Sequence, residues 1–326
     1  MRTAIPLTLL VTALASSLAT SPAHARARVF VASYGDDANP CTFGSPCKTF
    51  QHAHDAVDAG GEVTAIDSAG FGPISISKSV TISSPDGVEA GIVPAAGGSA
   101  ITINAGPTDT VVLRGLTLDG SGMAYNGIVF NSGGSLTITN CVVQNFLHNS
   151  ASGLSGVGIL IPPTSGTVNF AIRDTIVVNN DGNGILLFPP NGSGTVNVNG
   201  AIDHVTATGN AGDGISLYQF GAGGSVIASV SNSVASNNGA RGIEVESGTG
   251  GTITVSIDST NISGNHFSGV AAYAKSQVFL SRSVLTGNVH AYENNTSPNS
   301  FFTYSDNRLN NNGAPQGPLL IPATPQ

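Results

Sequence analysis

Apolar residues along most of this chain recur at every second position, as in ITVSI (253–257), VNVNG (196–200) and the run from Gly242 to Val245. That spacing is the period of a β-strand, and the 3.6-residue spacing of a helix is not found in these runs. The strands it predicts are four or five residues long and are separated by Gly, Asn and Asp. The pattern also repeats at longer range. NNDGNGILLF (179–188), GNAGDGISLY (209–218), NNGARGIEVE (237–246) and GNHFSGVAAY (264–273) start 30, 28 and 27 residues apart. Each has Asn second (Asn180, Asn210, Asn238, Asn265), Gly sixth (Gly184, Gly214, Gly242, Gly269) and an apolar pair seventh and ninth. Gly127-Ile128 and Gly158-Ile159 continue the phase upstream.

A period of 20 to 50 residues marks a repeat architecture. About 28 residues accommodate three short strands and their corners, which is one turn of a parallel β-helix. Stacked at about 4.8 Å per rung, such coils bury a continuous apolar lumen that no single coil could bury alone. The repeated Asn tolerates corner conformations and can hydrogen-bond from rung to rung, and the repeated Gly permits either an unusual φ or close approach of the next coil. A second corner column, Asn140, Asp174, Asp203, Asn232, Asp258 and Arg282, reads as a hydrogen-bonded turn ladder. Its oxygen-rich alternative is a calcium site; the metal-free reading is the one taken here, with no cofactor assigned.

Composition narrows the class. The 326 residues include 42 Gly and no Trp, only 9% are charged, and the formal charge is −8. Ser, Thr and Asn carry the polar load, and the absence of any basic cluster argues against nucleic acid as a partner. The start, MRTAIPLTLLVTALASSLATSPAHA, has an early Arg, an apolar stretch and Ala23-His24-Ala25, the features of a secretory signal peptide cut after Ala25. Its apolar run is too short and too interrupted to span a bilayer. The mature chain is therefore expected to be secreted or periplasmic, not inserted in a membrane, and a monomer. Export makes Cys41 and Cys47, in NPCTFGSPC, a disulfide pair across a tight turn; Cys141, in LTITNCVV, reads as a buried apolar residue.

The entrance YGDDANPCTFGSPCKTFQHAHDAVDAGGEVTAIDSAGFG resembles the opening motif of many bacterial right-handed parallel β-helix proteins of the pectate lyase-like superfamily. The resemblance covers roughly residues 29–312. It implies an all-β right-handed parallel β-helix at 26–312 with a capping helix at about Lys48 to Ala59, and the residues near NNNGAPQGPLLIPATPQ read as an irregular Pro-rich tail at 313–326. It is poor for activity, because lyases, hydrolases, epimerases and adhesins share it. Ile202-Asp203-His204 is similar to part of a pectate lyase motif, but the accompanying Trp and Arg-x-Pro-x-x-Arg are missing. Polygalacturonase and alginate epimerase signatures are missing too.

Strand alternation supplies the candidate site. With Ile185, Ile215, Ile243 and Val270 inward, the outward columns hold Leu186, Ser216, Glu244 and Ala271, then Phe188, Tyr218, Glu246 and Tyr273. Aromatic rings beside carboxylates suit sugars, since rings offer apolar faces to C–H groups and acids accept from hydroxyls. Glu244 and Glu246, at i and i+2, are separated by about 6.5 to 7 Å of strand rise, near the range of an inverting glycosidase pair. Asp213, Arg241 and His266 precede the same strand, and Arg241 is the candidate for anion contact in a lyase. The expected function is binding of extracellular or cell-surface polysaccharide, with cleavage by Glu244, Glu246 and Arg241 as the enzymatic form. The alternative is a structural or adhesive protein in which these residues are a solvated face.

Overall fold

The computed structural model describes residues 27–297 and 300–324, so the expected signal peptide lies outside the described residues. The chain winds as a solenoid of three parallel sheets with 12, 9 and 10 strands. Each coil runs in the same order. Val196–Asp203 lies in the twelve-strand sheet, Thr206–Thr208 in the ten-strand sheet and Ile215–Gln219 in the nine-strand sheet, before Ser225–Ser231 re-enters the first. Register is kept from coil to coil, with Ile185 opposite Ile215, Ile215 opposite Ile243 and Ile243 opposite Val270. These four side chains are fully buried in the lumen, as the alternation requires.

The repeated Asn forms a ladder inside the corner between the ten- and nine-strand sheets. Asn180 Nδ2 donates to Asn210 Oδ1 at 2.9 Å, Asn210 to Asn238 at 3.1 Å, and Asn238 to Asn265 at 3.0 Å. The ladder continues through Asn288 and Asn312 at 2.9 and 3.0 Å, beyond the four sequence windows. Each amide also reaches a strand carbonyl, as Asn210 Nδ2 does at Val177 O, 3.1 Å. Buried polar groups are thereby satisfied in a turn that has no helix or sheet ladder of its own.

Gly at the sixth place serves close approach. A Cβ on Gly242 would stand 2.4 Å from Ile262 Cγ2 and 2.7 Å from Gly269 O, and φ there lies outside the left-handed range.

At the second corner column the left-handed residues are Asn140, Asp174, His204, Asn232, Ser259 and Arg282. The expected Asp203 and Asp258 sit one place earlier, as the last residues of their strands. Strand pairing sets that register, placing Asp203 opposite Ser231 and Ser231 opposite Asp258. Asp203 accepts from Ser231 (2.7 Å) and Asn232 (2.9 Å), and Asp258 from Ser281 (2.6 Å), so these carboxylates tie one coil to the next.

The entrance motif folds into a plug. The α-helix is Phe50–Ala56, shorter than the expected span, with Thr49 as its N-cap accepting from His52 N. Asp37 accepts from the backbone N–H groups of Lys48 and Thr49 (2.8 and 2.9 Å) and from the Thr49 hydroxyl (2.9 Å), which holds the turn against the helix start. Phe50, Ala53 and Val57 join the same apolar core as Val29, Val31, Val63 and Phe71, so the helix closes the open end of the lumen. Cys41 and Cys47 are disulfide-bonded, and Cys141 is a buried free thiol whose pKa burial pushes up to about 11.

At the other end, the segment expected as an irregular tail lies against the last coil. Gln316 N donates to Tyr292 O at 2.9 Å, Leu320 packs on the core, and Ile321–Pro322 adds the final strand of the twelve-strand sheet. Among the described residues no helix is long and apolar enough to cross a membrane.

Candidate functional site

The outer face of the nine-strand sheet carries the site. Its first outward column is Leu160, Leu186, Ser216, Glu244, Ala271 and Glu293, in register. The column points away from the lumen as expected, but it is covered rather than exposed. Leu186 is 3% exposed, Glu244 6% and Glu293 4%, because long side chains of flanking columns fold over it. Leu186 packs with Val157 and Leu160 beneath Phe188 and Tyr218 in a small apolar cluster separate from the lumen. The second column, Phe188, Tyr218, Glu246 and Tyr273, is half-buried throughout.

Arg241 organises the polar part of this face. Its Nη1 lies 3.6 Å from Glu244 Oε1 and 3.9 Å from Asp213 Oδ1, its Nε 3.5 Å from Glu293 Oε2, and its Nη2 donates to Tyr273 Oη at 2.9 Å. The guanidinium also sits 5.4 Å from the centroid of the Tyr273 ring and 5.6 Å from that of Phe267. Two diagonal contacts repeat the same design: Tyr218 Oη donates to Glu244, and Tyr273 Oη donates to Glu293, each one coil further on. Asp213 accepts from Arg241 N (2.8 Å) and from the Ser216 hydroxyl (2.9 Å), and Ser268 donates to Glu293 at 2.6 Å.

These contacts split the carboxyl groups into two states. Burial pushes Glu244 up to about 8, reinforced by the neighbouring Asp213 and only partly offset by Tyr218 and Arg241. Burial also works upward on Glu293, but hydrogen bonds from Ser268 and Tyr273 and the charge of Arg241 outweigh it and hold it below the usual range. Glu246 is raised by burial, with Arg241 pulling the other way. Burial tends to lower Arg241, yet Glu244, Tyr273 and Asp213 raise it overall, so it stays charged.

The structure therefore brings Asp213, Arg241, Glu244, Tyr218 and Tyr273 together, with Glu246 beside them in the second column. Glu244 is engaged with Asp213, Tyr218 and Arg241, and not with Glu246 as an acid pair. His266 is exposed and contributes a backbone N–H to Asn238 O; its ring makes no hydrogen bond or ion pair among the described residues. Three residues escaped the sequence reading. Glu293 is a core member of the cluster, Phe267 is 52% exposed beside Arg241, and Phe220 packs on Phe188 and Tyr218 with centroids 5.7 and 5.3 Å apart. Phe220 was readable as the residue two places after Tyr218, in the loop that follows the strand.

Among potential metal ligands in the described residues, Cys41, Cys47 and His52 lie within 4.8 Å of one another, and the two sulfurs are bonded to each other. The Arg241 cluster has its carboxylate oxygens engaged by guanidinium, hydroxyl and amide groups, the donor set of an ion-pair network.

The model for a right-handed β-helix region matches residues 99–256. No curated protein matches the chain. Among solved structures, pectate lyase Pel9A superposes with a TM-score of 0.55 at 13% identity, covering 87% of this chain and 78% of the lyase. The A-module of the mannuronan C-5 epimerase AlgE6 from Azotobacter vinelandii gives 0.48 at 17% identity, covering 85% of this chain and 94% of the module. The three-sheet topology, the matched region and the lyase superposition agree on the fold: this chain is a right-handed parallel β-helix, an architecture it shares with pectate lyase Pel9A.

Proposed function

We propose that the protein is exported and binds polysaccharide along the outer face of the nine-strand sheet. The observation that carries this reading is a pair of aromatic groups on one face, Phe188, Tyr218 and Phe220 in mutual contact and Phe267 and Tyr273 on either side of Arg241, with the coil of Glu246 between them. Partly open rings suit the apolar faces of sugars, and Glu246 between Tyr218 and Tyr273 offers an acceptor for hydroxyls. A solenoid spaces such groups at about 4.8 Å per coil, so several coils meet one extended polymer. The lyase of similar fold supports a polysaccharide as the class of partner. The Cys41–Cys47 disulfide supports an oxidising compartment.

Cleavage is the second reading, favoured by one observation: burial raises Glu244 to about 8, while Glu293 on the same face is held below the usual range. In a hydrolase Glu244 would be the acid that protonates the leaving oxygen, and Asp213 or Glu293 the base that activates water. Glu244 and Glu293 are covered by Tyr218 and Tyr273, which favours binding over turnover. The test is affinity electrophoresis of the mature protein against a polysaccharide panel, with reducing ends and 235 nm absorbance followed in parallel. Retardation with both assays flat is the expected result. Reducing ends that disappear in Glu244→Gln would replace binding by hydrolysis, and no retardation with any polymer would overturn the proposal.

A further inference from the structure

Resting on that reading, we infer that this face selects an uncharged polysaccharide and disfavours polyuronates. Four acidic side chains share this face with one guanidinium: Asp213, Glu244 and Glu293 lie within 3.9 Å of Arg241, and Glu246 stands farther off in the outer column. Lys275, the next cation in the chain, follows the end of the Ser268–Ala274 strand, past the left-handed residue Ala274, and makes no ion pair with these acids. The chain as a whole carries −8, so no long-range field counters the local one.

Arg241 offers no free fork for a substrate carboxylate. Nη2 is taken by the Tyr273 hydroxyl, Nη1 faces Glu244 and Asp213 at 3.6 and 3.9 Å, and Nε, 3.5 Å from Glu293, is buried without a hydrogen-bond partner and out of reach of solvent. The side chain is only 24% exposed and sits against the rings of Phe267 and Tyr273. Bidentate recognition of a uronate would have to strip a carboxylate from the cluster, leaving that carboxylate buried and unpaired. The parts of the face that reach solvent are different in kind. Phe267, the edges of Tyr218 and Tyr273, and Glu246 present apolar rings and hydroxyl acceptors, which recognise a neutral sugar without needing a counter-ion. Pectate, the polymer in the name of the similar lyase, is a polyuronate, so the fold is shared while this chain's face carries the opposite preference.

The experiment uses affinity electrophoresis at low ionic strength with galactomannan and xyloglucan as neutral probes, and polygalacturonate and alginate as polyuronate probes. The readout is the part of the retardation lost in Phe267→Ala, a substitution at a half-exposed ring that leaves the lumen and the Asn ladder intact. The inference predicts a Phe267-dependent retardation by a neutral probe at least tenfold greater than by either polyuronate. A Phe267-dependent retardation as strong with a polyuronate overturns the charge selectivity while upholding polysaccharide binding at this face. Retardation by no probe, or retardation unaffected by Phe267→Ala, overturns the site itself.

Discussion

Arg241 Nη2 donates to Tyr273 Oη at 2.9 Å across one coil, and the same hydroxyl donates onward to Glu293 on the coil after that. Three successive coils are thus joined on their outer face by side chains, in addition to the backbone ladder. Removal of the arginine leaves Asp213 and Glu293 with their charges covered and unpaired. Arg241→Ala should therefore cost roughly 3 kcal/mol, in line with breaking one partner out of a buried pair. Equilibrium urea unfolding measures it, and adding Glu293→Gln to Arg241→Ala should recover part of the loss.

The two glutamates predict opposite pH dependences. Glu244 has a folded pKa raised to about 8 from 4.5, so the folded state binds its proton more tightly. Its stabilising effect is complete below about pH 4.5 and is lost as pH rises towards 8, with a slope of at most about 1.4 kcal/mol per pH unit. Glu293 is held below its ordinary value, so its contribution is present above about pH 4.5 and is lost as pH falls through its folded pKa. A melting temperature series should peak near pH 5. In Glu244→Gln the decline between pH 5 and 8 should flatten, while the acid limb remains.

The Asn ladder should be least tolerant at its middle. Asn238 accepts from Asn210 N and Nδ2, both at 3.1 Å, and donates to Ala207 O at 3.2 Å and Asn265 Oδ1 at 3.0 Å, all buried. Asn238→Ala strands several of these groups and is expected to cost about 3 kcal/mol. Asn312 ends the ladder at a partly open corner, and Asn312→Ala should cost less than half as much. Thermal unfolding of the two variants side by side tests the ordering.

Glycine at the sixth place is sterically required. Gly242→Ala drives a methyl into Gly269 O and Ile262, and should destabilise by about 1–3 kcal/mol. Gly44→Ala, in the open turn between the disulfide cysteines, meets nothing within 4 Å and should change stability by less than about 0.5 kcal/mol.

Much of this architecture is legible in the chain because a solenoid writes its contacts as a period. The Asn and Gly columns, the inward Ile residues and the capping helix all follow from spacing and from the entrance motif. The site is less legible, because its geometry depends on how side chains lean. Glu244 and Glu246 share a strand face, yet Tyr218 draws Glu244 into the cluster and leaves Glu246 in the outer strip. Glu293 was hidden by a broken period. In GNVHAYENNT (287–296) the Asn-to-Gly spacing is one residue shorter and Ala291 stands where the earlier windows have Gly, although the strand pairs in register with Ser268–Ala274. Asp203 and Asp258 were misplaced by one residue because both Asp and its follower suit a left-handed corner, and strand pairing alone decides between them.

The central claim is that a polysaccharide lies on the outer face of the nine-strand sheet, and a crystal structure with an oligosaccharide cut from the most strongly retarding polymer tests it most directly. The account predicts sugar rings stacked over Phe267, Tyr273 and Tyr218, with a hydroxyl on Glu246 and the Arg241 cluster intact beneath. Sugar bound elsewhere, for example in the trough between Arg28 and Arg114 on the twelve-strand sheet, with this face bare, would contradict it.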